Sequence, residues 1–579
     1  MMTKQLCKLL KVTTVLFVAL FCAADRTLAG EIKESVVSVE QLSQESESLS
    51  QVTSVSQFSD VQPTDWAFQA LQSLVERYGC IAGYPNGTYR GNRALTRYEF
   101  AAGLNACLDR VNELIATATA DLVKREDLAT LQRLQEEFAA ELSTLRGRVD
   151  AVEARTAELE ANQFSTTTKL TGEVIFNVAE AFGDDRAFPY GLDRDDFNGV
   201  NLANQTQVVN RIASLTGFNT AQAQALLNSY GAGNFGNLDR DVADNTVFAD
   251  RVRLNFDASF FGNDRLRVRL QARNITQYST GTTGTNMTRL GFDGNENNDV
   301  ELNDLYYQFN LGTGLRVTLA AQTEINDSIY VFNPSFESSG RGSLSRYGRF
   351  SPIYRTTDNA AGATLTFGPN SPISASVGFL APQASDPSLG LGLFNGSYAA
   401  LGQIAFRPSK AFNVGLTYVR SYFNNEGGVN LLGSTGSFNA SRPFGNFATT
   451  ANNYGLEASF RPSSKLDISG WVGYTNAEAQ AGPFEGAEAD IFYWAGAIAL
   501  KDLGKEGNVL GIVFGQPPKV THSDVIEDPN TSYHLEALYR LRVNDNLSIT
   551  PGVLVIFNPE HNNDNNTIYI GTIRTTFSF

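Results

Sequence analysis

Two stretches of the chain carry polar residues, most of them arginine, at every second position. In RVRLNFDAS, Arg251, Arg253, Asn255, Asp257 and Ser259 share one face; in RLRVRLQAR, Arg265, Arg267, Arg269, Gln271 and Arg273 do. The residues between them, Val252, Leu254, Phe256 and Ala258, then Leu266, Val268, Leu270 and Ala272, are apolar. Such alternation defines two adjacent strands with one polar and one apolar face. With a three-residue turn at Gly262–Asp264, Arg253 lies across from Arg273 and Asp257 across from Arg269. Like charges facing each other cost stability, so a row of guanidinium groups suggests a wall that attracts anions or stacks on sugar rings. Arg251, Arg253, Arg267, Arg269 and Arg273 are the candidates to line it. The alternative is that acidic loop residues neutralise them and the wall is merely wet.

Other chemistry has little support. The three histidines, His522, His534 and His561, lie late in the chain, and no Gly-x-Ser-x-Gly elbow accompanies them. No catalytic set is assigned, and an enzyme is not expected. No close Cys/His ligand cluster suggests a metal, and no cofactor is expected. A formal charge of −16 with no basic, aromatic-interleaved stripe argues against a nucleic-acid partner.

The arginine strands belong to a long region of period two, residues 164–579. The same alternation recurs in Phe412/Val414/Leu416/Tyr418, in Leu466/Ile468/Gly470/Val472/Tyr474, and in Tyr569/Gly571/Ile573/Thr575/Phe577/Phe579. About sixteen strands can be laid out. Short connections (Gly262–Asp264, Gly312–Gly314, Gly368–Pro372, Arg407–Ala411, Arg461–Lys465, Val543–Asn546) alternate with long polar ones near 179–246, 276–299, 325–360, 380–397 and 421–452. Phe-Arg-Pro-Ser occurs in two of the short ones, at Phe406–Ser409 and Phe460–Ser463, as though one turn design were reused. A soluble sandwich has no reason to place all its short turns at one pole; a transmembrane barrel does. The reading is an all-β barrel of about sixteen antiparallel strands in outer-membrane lipid, with an even strand number returning the last strand to the pole of the first. The first long connection holds two helix-like stretches, near Gln205–Leu215 and Thr220–Tyr230.

The N-terminal part has four pieces. Residues 1–29 read as a signal peptide: Lys4, Lys8 and Lys11 precede an apolar run, and Thr27-Leu28-Ala29 suits cleavage. Residues 30–57 read as a flexible leader. In 58–104, Thr64 is placed as the N-cap of a helix from Asp65 to Tyr78, with Trp66 read as core, and Thr96 and Glu99 form a capping box. In 105–163, Leu131, Phe138, Leu145, Val152 and Leu159 recur every seven residues, which predicts a coiled coil and, most simply, a homotrimer. Two cysteines remain after the signal, Cys80 and Cys107; an even pair in an exported chain reads as a disulfide, against two free thiols.

Residues 58–104 resemble an S-layer homology domain through Phe58-Ser59-Asp60-Val61, Asp65-Trp66-Ala67, Gly83-Tyr84, Asn86-Gly87-Thr88-Tyr89 and Thr96-Arg97-Tyr98-Glu99. The resemblance implies binding of cell-wall polysaccharide or peptidoglycan, carried by Arg97 and the Gly83-Tyr84 loop, with Arg90 and Arg93 adding charge. One copy stands here where such domains usually come in groups, and a single copy binds weakly unless several chains act together. That unit, the coiled coil, and a barrel ending Gly571-x-x-Arg574-x-x-Phe577-x-Phe579 together resemble the cyanobacterial major outer-membrane porins of the Som type, whose barrel belongs with the carbohydrate-selective porins. Leu302-Asn303-Asp304-Leu305-Tyr306-Tyr307 resembles a strand of that family. The resemblance covers 58–579 apart from 179–246. It implies passive diffusion of small hydrophilic solutes (ions, sugars or other nutrients) and an N-terminal region in the periplasm. It makes Phe577 and Phe579 an assembly signal, and the third outside loop an inward-folded constriction bearing Arg341, Arg346, Arg349 and Arg355. A closed barrel acting only as a tether between outer membrane and wall is the alternative.

Overall fold

The computed structural model describes residues 53–117 except 80, 82, 83 and 85, scattered residues of 129–153, and residues 168–579 except 239 and 427. Two compact units emerge, one built on 23–163 and one on 164–579. The signal segment, most of the leader, Cys80, Gly83 and most of the heptad seam lie outside the described residues.

The smaller unit packs Phe58, Leu71 and Val75 around Val55, with Val61, Phe68 and Tyr89 against them. Helix α1, Phe68–Gln72, runs on into a wider turn at Ser73–Arg77. It starts later than the sequence predicts, with Ala67 at its N-cap and no side-chain cap. The Asp65 carboxylate instead accepts from the Gln62 amide at 2.8 Å, closing a turn before the helix. Trp66 falls in that turn and is 73% exposed, so the expectation that it is core is wrong: the residue precedes the amphipathic face it was assigned to. Helix α2 spans Arg97–Thr117. Its capping box is formed: the Glu99 amide donates to Thr96 Oγ1 at 3.1 Å and the Thr96 amide to Glu99 Oε2 at 2.9 Å. The described residues between 129 and 153 are helical.

The larger unit is a closed barrel of sixteen long strands, every neighbour antiparallel. They are β1 Thr168–Phe182, β2 Val247–Ala258, β3 Arg265–Ile275, β4 Glu301–Leu311, β5 Leu315–Thr323 and β6 Ala360–Phe367. Next come β7 Ile373–Ala381, β8 Tyr398–Phe406, β9 Phe412–Phe423, β10 Thr449–Ser463 and β11 Leu466–Ala479. The last are β12 Glu488–Lys501, β13 Val509–Ser523, β14 Tyr533–Arg542, β15 Leu547–Phe557 and β16 Ile568–Ser578. One further strand of two residues, Gly294–Asn295, extends β3 from within a loop. Closure is made by β1 on β16, from Glu173↔Ser578 to Phe182↔Tyr569. No helix among the described residues is long and apolar enough to cross a membrane.

Alternation is visible in exposure. On β9, Phe412, Leu416 and Tyr418 are exposed, whereas Asn413, Thr417 and Ser421 are buried. Ile404, Leu456, Phe460, Val472, Ile498, Ile512 and Phe514 continue the exposed apolar face round the barrel. Each such side chain left in water forgoes roughly 1.5–3 kcal/mol, a loss that a lipid surround removes.

Short turns gather at one pole and long loops at the other. One predicted turn moves: β10 continues through a bulge to Ser463, leaving a tighter link to Leu466. The β2–β3 register also differs from the expectation. Arg251 pairs with Arg273, Arg253 with Gln271, Asn255 with Arg269 and Asp257 with Arg267. The hairpin centres on Gly262, one residue earlier, because the Asp264 carboxylate turns back to accept from the Phe260 and Phe261 amides and Ser259 Oγ.

The first long loop carries helices α3, Gln205–Thr216, and α4, Thr220–Tyr230, where the sequence places them. Asn204 and Asn219 cap them. The loop packs on its neighbours at the long-loop pole: the Phe438 ring edges onto Tyr190 and Tyr230, Phe218 meets Phe484, and Asn562 Nδ2 donates to the Leu192 carbonyl.

Candidate pore and constriction

The β2–β3 arginines point into the lumen, and most meet a carboxylate. Arg251 is fully buried; it donates to Glu173 of β1 at 2.5 Å and to Ser339 Oγ at 2.9 Å. Arg267 grips Asp257 with two bonds, at 2.8 and 2.6 Å. Arg269 reaches Asp304 of β4 at 2.5 Å and Asn255 at 2.8 Å. Arg273 pairs with Glu296 at 2.8 Å. Arg253 is the exception: it donates to Gln271 Oε1 at 2.6 Å and Ser339 Oγ at 3.0 Å, with no carboxylate in ion-pair range among the described residues. The two arginines in direct register, Arg251 and Arg273, thus each turn to a carboxylate of their own, which offsets their repulsion. Sequence periodicity shows the arginines; their acids stand on other strands and loops.

The loop between β5 and β6 leaves the wall and crosses the lumen. Its middle is clasped from two sides. Glu536 of β14, fully buried, accepts from Ser343 Oγ (2.7 Å), the Leu344 amide (2.6 Å), the Ser345 amide (3.2 Å) and Ser345 Oγ (2.5 Å). Arg574 of β16, also fully buried, donates to the carbonyls of Ser339 (2.9 Å), Gly342 (2.7 Å) and Ser343 (3.1 Å). Tyr347 donates to the Trp494 and Gln516 carbonyls. A segment with few regular backbone bonds is therefore satisfied by lumen side chains. Neither Glu536 nor Arg574 was identified from sequence as an anchor. The one available signal is a charge on an inward position with no opposite charge in register.

The four loop arginines separate. Arg341 is exposed, and its carbonyl accepts from Arg540 at 2.7 Å. Arg346 reaches the Gly433 carbonyl at 2.7 Å and lies 3.5 Å from Asp358. Arg349 donates to the Glu337 carbonyl at 2.8 Å and the Gly291 carbonyl at 3.2 Å. Arg355 is buried over the Phe350 ring at 4.2 Å. Burial pushes the Arg349 guanidinium down to about 10, which leaves it cationic at neutral pH. Burial raises the Glu324 carboxyl, but Arg349, Arg355 and Arg346 outweigh it and hold the group below its ordinary range. Asp327 lies 3.9 Å from Arg269 across the gap between loop and wall. Arg253, Arg269 and Arg349 thus meet Asp304, Glu324 and Asp327 in one cluster of mixed charge, able to offer donors to an anion and acceptors to hydroxyl groups.

In the smaller unit, Tyr84 gathers the predicted wall-facing residues. Arg90 lies over its ring at 4.5 Å and Arg93 at 5.9 Å, while its hydroxyl donates to Glu99 at 3.1 Å. Arg97 is exposed at the start of α2. Cys107 is disulfide-bonded, to a partner outside the described residues. At the barrel seam, Phe577 stands beside Phe176, and Phe579 exchanges backbone bonds with Gly172 at 2.7 and 3.0 Å.

A closed sixteen-strand barrel with exposed apolar belt, polar lumen and inward loop defines a membrane channel of the porin class. The chain belongs to the carbohydrate-selective porin, OprB family, which matches residues 125–579; an S-layer homology domain matches residues 57–101. It is 47% identical over 558 residues to an uncharacterised protein of Nostoc sp., covering 92% of this chain and 86% of that one. A Synechocystis sp. protein is 40% identical over 560 residues, with 92% of each chain covered. Outer membrane protein SlpA of Thermus thermophilus is 39% identical over 110 residues, 18% of this chain and 12% of that one. Among solved structures, Pseudomonas putida OprB aligns with a TM-score of 0.46 at 10% identity, over 73% of this chain and 96% of that chain.

Proposed function

We propose that this protein lets small hydrophilic solutes, among them ions, sugars and other nutrients, diffuse passively across the outer membrane. The observation that carries the reading is the loop crossing the lumen, which brings Arg253, Arg269 and Arg349 level with Glu324 and Asp327. In this reading the short-turn pole and the N-terminal unit face the periplasm. The S-layer homology unit holds cell-wall polysaccharide through Arg97, Arg90, Arg93 and the Gly83-Tyr84 loop, a Cys80–Cys107 disulfide braces it, and the heptads of 105–163 assemble a homotrimer. Three wall-binding units on one trimer offset the weakness of a single copy.

Single-channel conductance and reversal potential in a planar bilayer test this. A steady open current with anion preference is expected. A steady current without preference removes the arginine contribution and keeps the channel. A tether with a closed barrel is the second reading, favoured by the packing of the α3–α4 loop onto the other long loops. No current from folded protein would make that reading the function.

A further inference from the structure

The repeated Phe-Arg-Pro-Ser sequence has a purpose in space that its turns alone do not require. Each copy follows the same plan: the Arg407 amide donates to the Pro372 carbonyl and the Arg461 amide to the Ala411 carbonyl, both at 2.6 Å. Each arginine is thereby stitched to the end of the preceding turn. The two guanidinium groups then line one cavity of about 640 Å³ at the short-turn pole, roofed by Tyr330 of the lumen-crossing loop and joined by Lys410.

The charges of this cavity do not balance. Asp467 is its one carboxylate, and it is already shared by Arg461 at 2.6 Å and by Lys501, outside the lining, at 2.5 Å. Ser335 Oγ donates to the same carboxylate at 2.5 Å. Among the described residues Arg407 meets no carboxylate within ion-pair range; it donates to the Pro369 carbonyl (3.0 Å) and Ser374 Oγ (3.3 Å), and lies over the Tyr330 ring at 4.7 Å. Its Nε–H is buried and, among the described residues, donates to no atom. Lys410 is exposed and likewise has no carboxylate partner among the described residues. Arg316, beside the short turn that opens β5, is close enough to both Arg265 and Arg407 to feel their charge, and among the described residues its one hydrogen bond is to Asn310. Placing cations together without acids is unfavourable unless an anion joins them. Guanidinium forks suit oxyanions in particular.

We propose that the two Phe-Arg-Pro-Ser turns build a second solute site, below the constriction, that takes a small oxyanion such as phosphate or a phosphate-bearing solute. Arg407 and Lys410 hold the charge, Arg461 and the Asp467 acceptor frame it, and Tyr330 supplies a flat wall. The site rests on the reading of the barrel as a channel, since solute reaches it through the lumen. It gives the protein two cationic stations in series, one at the crossing loop and one at the exit.

The test is inorganic phosphate binding to the purified full chain in detergent by calorimetry, alongside phosphate effects on single-channel current. Arg407→Gln with Lys410→Gln should weaken phosphate binding by about tenfold, the loss of one or two charge-assisted bonds. Arg407→Lys should restore part of it. Phosphate added on the short-turn side should reduce chloride current at lower concentration than phosphate added opposite, and the double variant should abolish that difference. Unchanged phosphate affinity in the double variant overturns the proposal. So does affinity lost only in Arg349→Gln, which would put the anion at the constriction. Wild-type protein that carries no current yet binds phosphate through Arg407 would retain the site and refute the channel. Protein that conducts ions but binds no phosphate would do the reverse.

Discussion

The clasp on the lumen-crossing loop predicts how the channel can be opened wider. Glu536→Gln keeps the shape of the side chain and removes its charge. The carboxylate now serves four donors from Ser343, Leu344 and Ser345, and the amide that replaces it offers one acceptor oxygen and turns an NH₂ toward the rest. Bonds to a charged acceptor contribute about 1.5–3 kcal/mol each, so losing two of them alone costs the docked loop roughly 3–6 kcal/mol. At about 1.4 kcal/mol per decade this changes the docked-to-released ratio by roughly a hundredfold or more. Arg574→Met removes three donors to carbonyls. It also relieves the burial of a charge whose Nε has no partner, so its effect should be the smaller. The barrel wall, held by its ladders, should remain. The expected record is a larger or flickering single-channel conductance with unchanged far-UV circular dichroism, and faster proteolysis within 338–345. Conductance, gating and proteolysis all equal to wild type in both variants would refute the clasp. If Glu536→Gln does not assemble, Arg574→Met alone decides.

Four further outcomes can be checked. Arg97→Ala should weaken binding to isolated cell wall severalfold in a pull-down without altering conductance; unchanged binding would remove that residue from the wall-binding face. A chain lacking 105–163 should lose its oligomer on a native gel or by light scattering, and a persisting trimer would assign assembly to the barrels. Gly172→Val should displace the exposed Phe579 ring at the seam, because a Cβ there runs into it; a fluorine label on Phe579 that reports an unchanged environment in the variant would contradict this. Glu337, on the crossing loop, has its carboxyl pushed up to about 7 by burial, against the pull of Arg349. Lowering the pH from about 8 to about 6 therefore removes a negative charge and should raise anion preference, a change that Glu337→Gln abolishes. Because the folded value is raised, its contribution to loop docking is greatest at low pH and falls as the pH rises through about 7.

How much of this could be read from the chain depends on the range of the interaction. Local pattern was legible: period-two alternation located the strands and nearly every short turn, and two helix-like stretches located the helices of the first long loop. The β2–β3 register was displaced by one side-chain bond: Asp264 folds back on the Phe260 and Phe261 amides and recentres the hairpin, a contact that residue counting treats as neutral. Trp66 failed for a related reason, since Asp65 closes a turn and delays the helix that would have buried it. The acids that answer the arginines were not legible because Glu173 and Asp304 lie on the strands flanking β2 and β3 across long loops, which hide the register from residue counting; Glu173 stands opposite Arg253 yet bonds Arg251.

That difference in range also orders the electrostatics of the lumen. Short-range pairing consumes the arginines whose neighbours across the sheet are acidic, as with Arg267 on Asp257. Left over, among others, are Arg253 and Arg349 at the crossing loop and Arg407 at the short-turn pole, each held by neutral oxygens. A paired guanidinium mainly stabilises the wall, because a passing anion must displace a carboxylate to reach it. An unpaired one has its field answered only at a distance, as Glu324 answers Arg349, so more of that field reaches the lumen. Selectivity should therefore follow the unpaired minority rather than the number of arginines in the wall. Replacing Arg267 should disturb strand pairing more than ion preference, and replacing Arg253 should do the opposite.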